Sequence, residues 1–192
     1  PVSGGKDSAY QMHMLKHEFN MNPLAVTYSH NLFSKEGRHN LKTMLEKLDI
    51  DHIEYTPKRS LVNRMMDKSL ALIGDSCWHC HAGIGAFPLQ MSVKLNIKLI
   101  VWGESIAEHG KCATYSKPLD YDEDYFRKVS TKKNTDEMIR VSDNISKQEM
   151  SFFYPPSAEQ FKNSQIHGIF MGDYLFWDGE YFTEFLVQHY GW

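Results

Sequence analysis

The chain has 192 residues, of which 42% are hydrophobic, and its 21 basic and 24 acidic side chains leave a net charge of −3. This is enough apolar material for one α/β domain with a sizeable core. Scattered basic residues argue against a nucleic-acid partner, and no apolar run approaches a membrane span, so we expect a cytoplasmic protein without membrane contact. Three cysteines are too few for a disulfide scaffold and indicate metal or redox chemistry in a reducing compartment.

Helix and strand patterns alternate along the chain, which is typical of a parallel sheet with helical crossovers. An apolar stripe from Ala9 to Phe19 predicts the first helix. The later predicted elements are strand 23–29, helix 34–48, strand 52–56, helix 61–73 ending at Gly74, helix 80–95, strand 97–102, a short helix near 122–129, a helix from Ser157, strand 168–173 and helix 179–189.

The motif SGGKDS stands almost at the start of the chain. Gly4 and Gly5 allow backbone amides to approach a phosphate oxygen, while Ser3, Lys6 and Ser8 add hydrogen-bond donors and charge. Because a helix follows, its free amides and its dipole also favour an anion. The spacing differs from that of a Walker A loop, so we expect the phosphate loop of a PP-loop ATP pyrophosphatase. The alternative is a glycine-rich turn that caps a helix.

Ligands of open α/β sheets lie beyond the carboxyl ends of the strands. That rule selects the SGGKDS loop, the end of strand 23–29 and the end of strand 97–102. We expect the backbone of Ala25, Val26 and Thr27 to contact an adenine edge. Gly103 is predicted to adjoin the bound nucleotide.

Two carboxylates are candidates for catalysis together with Lys6. Asp7 lies within the phosphate motif, where Mg²⁺ needs only one or two carboxylates because it keeps several waters. Glu104 follows a predicted strand and is expected to hold Mg²⁺ or to orient a substrate. A solvated loop carboxylate is the alternative for Glu104.

The pair Cys77 and Cys80 has the spacing CxxC. The two thiolates suit half of a tetrahedral zinc site, or part of an iron–sulfur cluster if Cys112 joins them. His79 and His81 are further candidate ligands, with His81 preferred. The remaining interpretation is that the two thiols are buried and pack the start of a helix.

Several segments, taken together, resemble the N-acetyl sugar amidotransferase family, which are PP-loop ATP pyrophosphatases of surface-polysaccharide, O-antigen and nonulosonate biosynthesis. The stretches CWHCHAGI and GDYLFWD are more specific than SGGKDS. The resembling segments are Pro1–Ser8, Gly74–Ile84, Ile97–Glu104, Ile169–Tyr174, Trp177–Asp178 and Tyr190–Trp192.

The resemblance implies a single Rossmann-like PP-loop domain of the adenine nucleotide alpha hydrolase type over residues 1–192, a parallel sheet with helices on both faces. It also implies that ATP and Mg²⁺ activate the acetamido group of a nucleotide-linked sugar. Ammonia then converts it to an acetamidino group, with release of AMP and pyrophosphate. A separate glutaminase with a cyclase-like channel subunit would supply the ammonia.

The family carries additional cysteines before the phosphate loop, so we expect this chain to be a fragment lacking that segment and a C-terminal extension. One rival function is a tRNA-thiolating PP-loop enzyme that binds a metal or cluster through its cysteines. Another is a non-catalytic nucleotide-binding subunit. For the tail we expect Asp173 and Asp178 to contact sugar hydroxyls or a subunit, and most of its aromatic residues to be core. These residues are Tyr174, Phe176, Trp177, Tyr181, Phe182 and Phe185.

Overall fold

A computed structural model describes residues 1–103, 133–142 and 144–192. Over these residues the chain is a mixed α/β structure with seven α-helices and two pairs of short parallel strands. The helices are α1 (Lys6–His13), α2 (Lys35–Leu48), α3 (Arg59–Ile73), α4 (Trp78–Leu95), α5 (Thr135–Val141), α6 (Ala158–Ser164) and α7 (Gly179–Tyr190). The strands are β1 (Ala25–Tyr28), β2 (His52–Tyr55), β3 (Leu99–Trp102) and β4 (His167–Phe170). In this part of the chain, no helix is long and apolar enough to cross a membrane.

The strands confirm the predicted parallel pairing. β1 lies parallel to β2 with Ala25 opposite His52, and β3 lies parallel to β4 with Leu99 opposite His167. On the other side of β1, the backbone N–H of Val2 donates to the carbonyl of Val26 at 2.9 Å. The residues just before the SGGKDS loop therefore run alongside β1, which places the loop beyond the carboxyl end of the strand.

Local capping signals determine several helix ends as predicted. The Ser34 side chain accepts the N–H of Gly37 at 3.0 Å and starts α2. Ser157 and Gln160 form a capping box that starts α6. α3 ends at Gly74, whose φ of +70° is the left-handed conformation that glycine adopts most readily.

Two of the predicted elements differ in the structure, and a third falls on residues that the structure does not describe. After α1 the chain forms a π-helical segment, Met14–Glu18, whose wider turn rotates the apolar stripe away, so Phe19 is 50% exposed rather than core. The strand predicted over 168–173 ends at Phe170, because Met171–Asp173 form a 3₁₀ turn. The helix predicted near 122–129 lies outside the described residues.

The aromatic tail is only partly core. Trp177 and Phe182 are buried, and Phe182 stacks on Tyr10 of α1 with ring centroids 3.8 Å apart. Phe185 is partly buried and packs on the cluster formed by α1, α2 and α7. The core prediction is wrong for three residues whose side chains lie mostly in solvent, Tyr174, Phe176 and Tyr181. Asp178 caps α7 by accepting two backbone N–H groups of its first turn.

The SGGKDS loop packs against the first turn of α2 through Gly4. Its φ is +80°, and a methyl group on Gly4 would overlap the carbonyl oxygen of Gly37 and lie 3.1 Å from Cβ of Leu41. Glycine is therefore required here for conformation and for space. This contact positions the loop that leads into α1.

Replacing Gly4 and Gly74 separately by alanine tests that packing. Both positions have positive φ, so each substitution should cost about 1 kcal/mol in the free energy of unfolding. Among residues 1–103, 133–142 and 144–192, nothing lies within 4 Å of the added carbon at Gly74. Gly4→Ala should cost a further ~1–3 kcal/mol from overpacking against Gly37, measured by urea unfolding. Equal losses in the two variants would contradict the proposed packing.

Candidate functional site

The serines of the SGGKDS loop form hydrogen bonds within the loop. The hydroxyl of Ser8 accepts the backbone N–H of Ser3 at 3.2 Å and donates to the carbonyl of Gly5 at 3.1 Å. Gly5 is the N-cap of α1, and among the described residues no side-chain cap bonds to the amides that follow it. The predicted phosphate-binding residues therefore lie at a helix start, where free backbone amides favour the binding of an anion.

Lys6 and Asp7, the two predicted catalytic residues of the loop, contact each other. The Lys6 ammonium lies 2.7 and 2.8 Å from the two carboxylate oxygens of Asp7. Oδ1 of Asp7 also accepts the indole N–H of Trp177 at 2.9 Å. Both charged side chains are partly exposed, so the ion pair itself adds little stability.

A cavity of about 170 Å³ opens beside this loop. It is bounded by the loop, by α4 and by the carboxyl ends of β1 and β3, as expected for a ligand site in an α/β sheet. Its lining residues outside the motif are Pro1, Val2, Val26, Tyr28, His30, Phe33, Ile84, Pro88, Trp102 and Gly103.

Of the three residues predicted to contact adenine, the structure places one at this cavity. Val26 lines it, whereas the backbone N–H of Ala25 donates to Asp51 O at 2.9 Å and Thr27 is paired with Glu54 of β2. The backbones of Ala25 and Thr27 are thus engaged in the pairing of β1 with β2. Residues that follow the strand reach the cavity instead.

His30 and Phe33 are two of the aromatic cavity residues that sequence reasoning missed, as is Tyr28. The rings of His30 and Phe33 are stacked at 4.5 Å with an interplanar angle of 9°, and the guanidinium of Arg38 lies 4.5 Å from the Phe33 centroid. Burial, with a further contribution from Arg38, lowers the pKa of His30, so this imidazole is neutral at pH 7. The available signal was their position just after a strand end, where ligand-binding residues of α/β sheets occur.

Gly103, the residue after β3, packs against the first turns of α1. A Cβ at Gly103 would lie 2.7 Å from Oε1 of Gln11 and 2.9 Å from the carbonyl oxygen of Asp7. Gln11 in turn donates its side-chain amide to the carbonyl of Val101. The structure therefore brings Gly103 next to the phosphate motif, while Glu104 lies outside the described residues.

Cys77 and Cys80 lie at the first turn of α4, and both are free thiols. Their sulfur atoms are 3.5 Å apart. Tetrahedral zinc with bonds of about 2.3 Å to sulfur would separate two thiolates by about 3.8 Å, so the pair suits two positions of such a site. Burial raises the pKa of the Cys80 thiol to about 12, with a further contribution from Cys77, so Cys80 is protonated at pH 7 when no cation is bound.

The histidine near the sulfurs is His79 rather than the preferred His81. Nε2 of His79 is 3.5 Å from Sγ of Cys80, and its Nδ1 is 3.2 Å from the hydroxyl of Tyr28, whereas His81 is exposed. Burial lowers the pKa of His79 to about 4, which keeps it neutral. Within the described residues, no three His, Cys, Asp or Glu side chains are arranged to hold a metal. The remaining candidate ligand, Cys112, lies outside them.

No protein-family model matches the chain, and a search of curated proteins found no match. Its functional interpretation therefore depends on its own residues: a braced glycine-rich loop, an uncapped helix start and an adjoining cavity. These features suit a phosphorylated ligand, with the phosphates at α1 and a flat group near His30 and Phe33.

Metal analysis of anaerobically purified protein tests the role of Cys77 and Cys80. We expect zinc or iron in the wild type and its loss in the double variant Cys77→Ser/Cys80→Ser, together with a lower melting temperature because metal binding is linked to folding. His81→Ala should keep the metal, since that side chain is exposed. A metal-free wild type whose double variant melts unchanged would show that the thiols are only packing residues.

Proposed function

We propose that this chain is a PP-loop ATP pyrophosphatase that amidates an N-acetyl group of a nucleotide-linked sugar. The observation that carries the first half of this proposal is the SGGKDS loop, which opens into an uncapped helix start beside a cavity at the carboxyl ends of β1 and β3. The second half depends on the motifs CWHCHAGI and GDYLFWD, whose resemblance to sugar amidotransferases is described above.

We also infer that the strands form a single Rossmann-like sheet. Val2 already bonds to β1 on the side opposite β2, and a cavity of about 260 Å³ separates Pro1 and Val2 from Ile100 and Val101 of β3. The two parallel pairs would then belong to one sheet, with the Pro1–Val2 segment between them. Such an order puts the phosphate loop at the centre of the sheet, where nucleotides bind in these folds.

The chemistry requires activation of an amide. An amide carbon resists ammonia because its oxygen is a poor leaving group. Attack of that oxygen on the α-phosphorus of ATP forms a bond to AMP and breaks the bond to pyrophosphate. Ammonia then adds to the carbon, AMP leaves with the oxygen, and a proton is lost to give the neutral acetamidine. The stoichiometry is one ATP and one ammonia for each acetamidino group.

Residues of this chain supply the electrostatic part of that reaction. The amides that follow Gly5, with Lys6 as a movable cation, would stabilise pyrophosphate as charge develops on it, and donors of this kind contribute about 2.7–4 kcal/mol each. Asp7 is the described residue that would hold Mg²⁺, which neutralises phosphate charge when bound. His30 and Phe33 offer a flat apolar wall for the adenine ring.

The proposed reaction also needs a source of ammonia and a compartment that holds its substrates. We infer that a separate glutaminase and a cyclase-like channel subunit deliver ammonia, as the family resemblance implies. A cytoplasmic location would supply ATP and the nucleotide sugar.

Gly5→Val tests the loop. The backbone of Gly5, φ −80° and ψ 162°, accepts any side chain, and in the part of the chain that the structure describes an added Cβ meets only Ser3 Oγ at 3.5 Å. The fold should therefore survive, while the side chain obstructs the phosphate position and lowers AMP and pyrophosphate release by a factor of about 100 or more. Gly74→Ala, which is remote from the loop, is the control. Normal turnover with an unchanged circular dichroism spectrum would show that the loop is not part of the active site.

Product analysis tests the acceptor. Protein supplied with ATP, Mg²⁺, ammonia and a panel of acetamido UDP-sugars should form an acetamidino product. The neutral product is about one dalton lighter, because NH replaces an oxygen. It is a base that takes up a proton at neutral pH, so it is cationic and presents a nitrogen donor where the oxygen was an acceptor. Free ammonia should suffice, and glutamine alone should fail. A thiolated tRNA base formed with a sulfur donor, without any sugar product, would support the thiolating alternative instead.

A further inference from the structure

A residue near the end of the chain contacts the phosphate loop at its start. The indole N–H of Trp177 donates a hydrogen bond of 2.9 Å to Oδ1 of Asp7, 170 positions away in the sequence. Trp177 is only 6% exposed and the Asp7 side chain is partly exposed, so the bond is partly buried, and its acceptor is charged, which strengthens a hydrogen bond.

Packing, rather than Asp7, sets the direction of this N–H group. The indole makes edge contacts with Tyr10 and Phe182, at centroid distances of 6.3 and 4.7 Å. The next residue, Asp178, is held as the N-cap of α7. Because the ring is packed by two aromatic neighbours and its backbone adjoins a helix cap, the donor is preorganised.

The second partner of Asp7 is much less constrained. The Lys6 side chain is 39% exposed, and its stem passes over Gly179, where a Cβ would lie 2.8 Å from Cε of Lys6. Lysine carries its charge on a flexible stem and reorients readily towards an anion. Asp7 thus has one fixed partner and one movable partner.

We propose that Trp177 is the positioning residue for Asp7 during binding of Mg²⁺ and ATP. This inference rests on the proposed ATP-dependent function. When Lys6 turns to a phosphate, the indole bond still holds Oδ1, so the carboxylate keeps its orientation and Oδ2 loses its cation. Asp7 is then a preoriented acceptor for Mg²⁺ or for one of its waters. Partners that orient a metal-binding side chain typically change metal affinity by about 10–100-fold.

Binding of ATP to Trp177→Phe, measured by calorimetry with excess Mg²⁺ and again with EDTA, tests this role. The matched control is Trp78→Phe, because the indole of Trp78 also donates a hydrogen bond to a distant part of the chain, the carbonyl of Lys133 at 2.8 Å. Trp177→Phe should bind ATP with Mg²⁺ about tenfold more weakly while its affinity in EDTA is unchanged. Trp78→Phe should match the wild type in both conditions.

A double-mutant comparison isolates the contact. In an Asp7→Asn background, Trp177→Phe should cause no further loss of Mg²⁺-dependent affinity, because the charged acceptor is already absent. An equal loss with and without Mg²⁺, a response like that of Trp78→Phe, or an added loss in the Asp7→Asn background would each overturn the positioning role.

Two further measurements cover a misfolded variant and a protein that does not bind ATP. If Trp177→Phe does not fold, NMR of the wild type replaces it. The indole N–H signal of Trp177 should shift when Mg²⁺ is added to the ATP-bound protein, and that of Trp78 should not; a Trp177 signal that does not shift rejects the proposal. Wild-type protein that binds no ATP under any condition rejects the proposed function itself, which distinguishes the two failures.

Discussion

The packing of Gly4 against α2 is the constraint on which the candidate site depends. With positive φ and no side chain, Gly4 allows the loop to contact the carbonyl of Gly37, and this contact sets where α1 begins. The axis of α1 and the direction of its free amides follow from that starting point. A side chain at Gly4 would move the loop away from α2, and the amides would no longer adjoin the cavity.

Two other segments meet the first turn of α1, and neither is close to it in sequence. Gly103, at the end of β3, packs on the carbonyl of Asp7, and Trp177 donates to the carboxylate of the same residue. Asp7 is thus contacted through both its backbone and its side chain. The loop is local in sequence, but its orientation depends on packing across almost the whole chain.

The cysteine pair is connected to the cavity by buried aromatic groups. Tyr28 lines the cavity, its hydroxyl lies 3.2 Å from Nδ1 of His79, and Nε2 of His79 lies 3.5 Å from Sγ of Cys80. The absence of a side chain at Gly83 provides the space for the Tyr28 ring. Burial raises the pKa of Tyr28 and lowers that of His79, so both groups stay neutral at pH 7. A chain of contacts through His79 and Tyr28 therefore links the sulfur of Cys80 to a wall of the cavity.

The sequence by itself determined the features that depend on neighbouring residues: the alternation of helices and parallel strands, the cap at Ser34, the end of α3 at Gly74 and the glycine-rich loop before α1. Apolar periodicity and capping act over a few residues, which is why they are readable. Only the tertiary structure decided the partners of Asp7, the position of His30 at the cavity rather than Ala25 or Thr27, and the exposure of Tyr181. Those outcomes depend on how elements far apart in sequence pack together, and periodicity along one element carries no information about the residues that cover it.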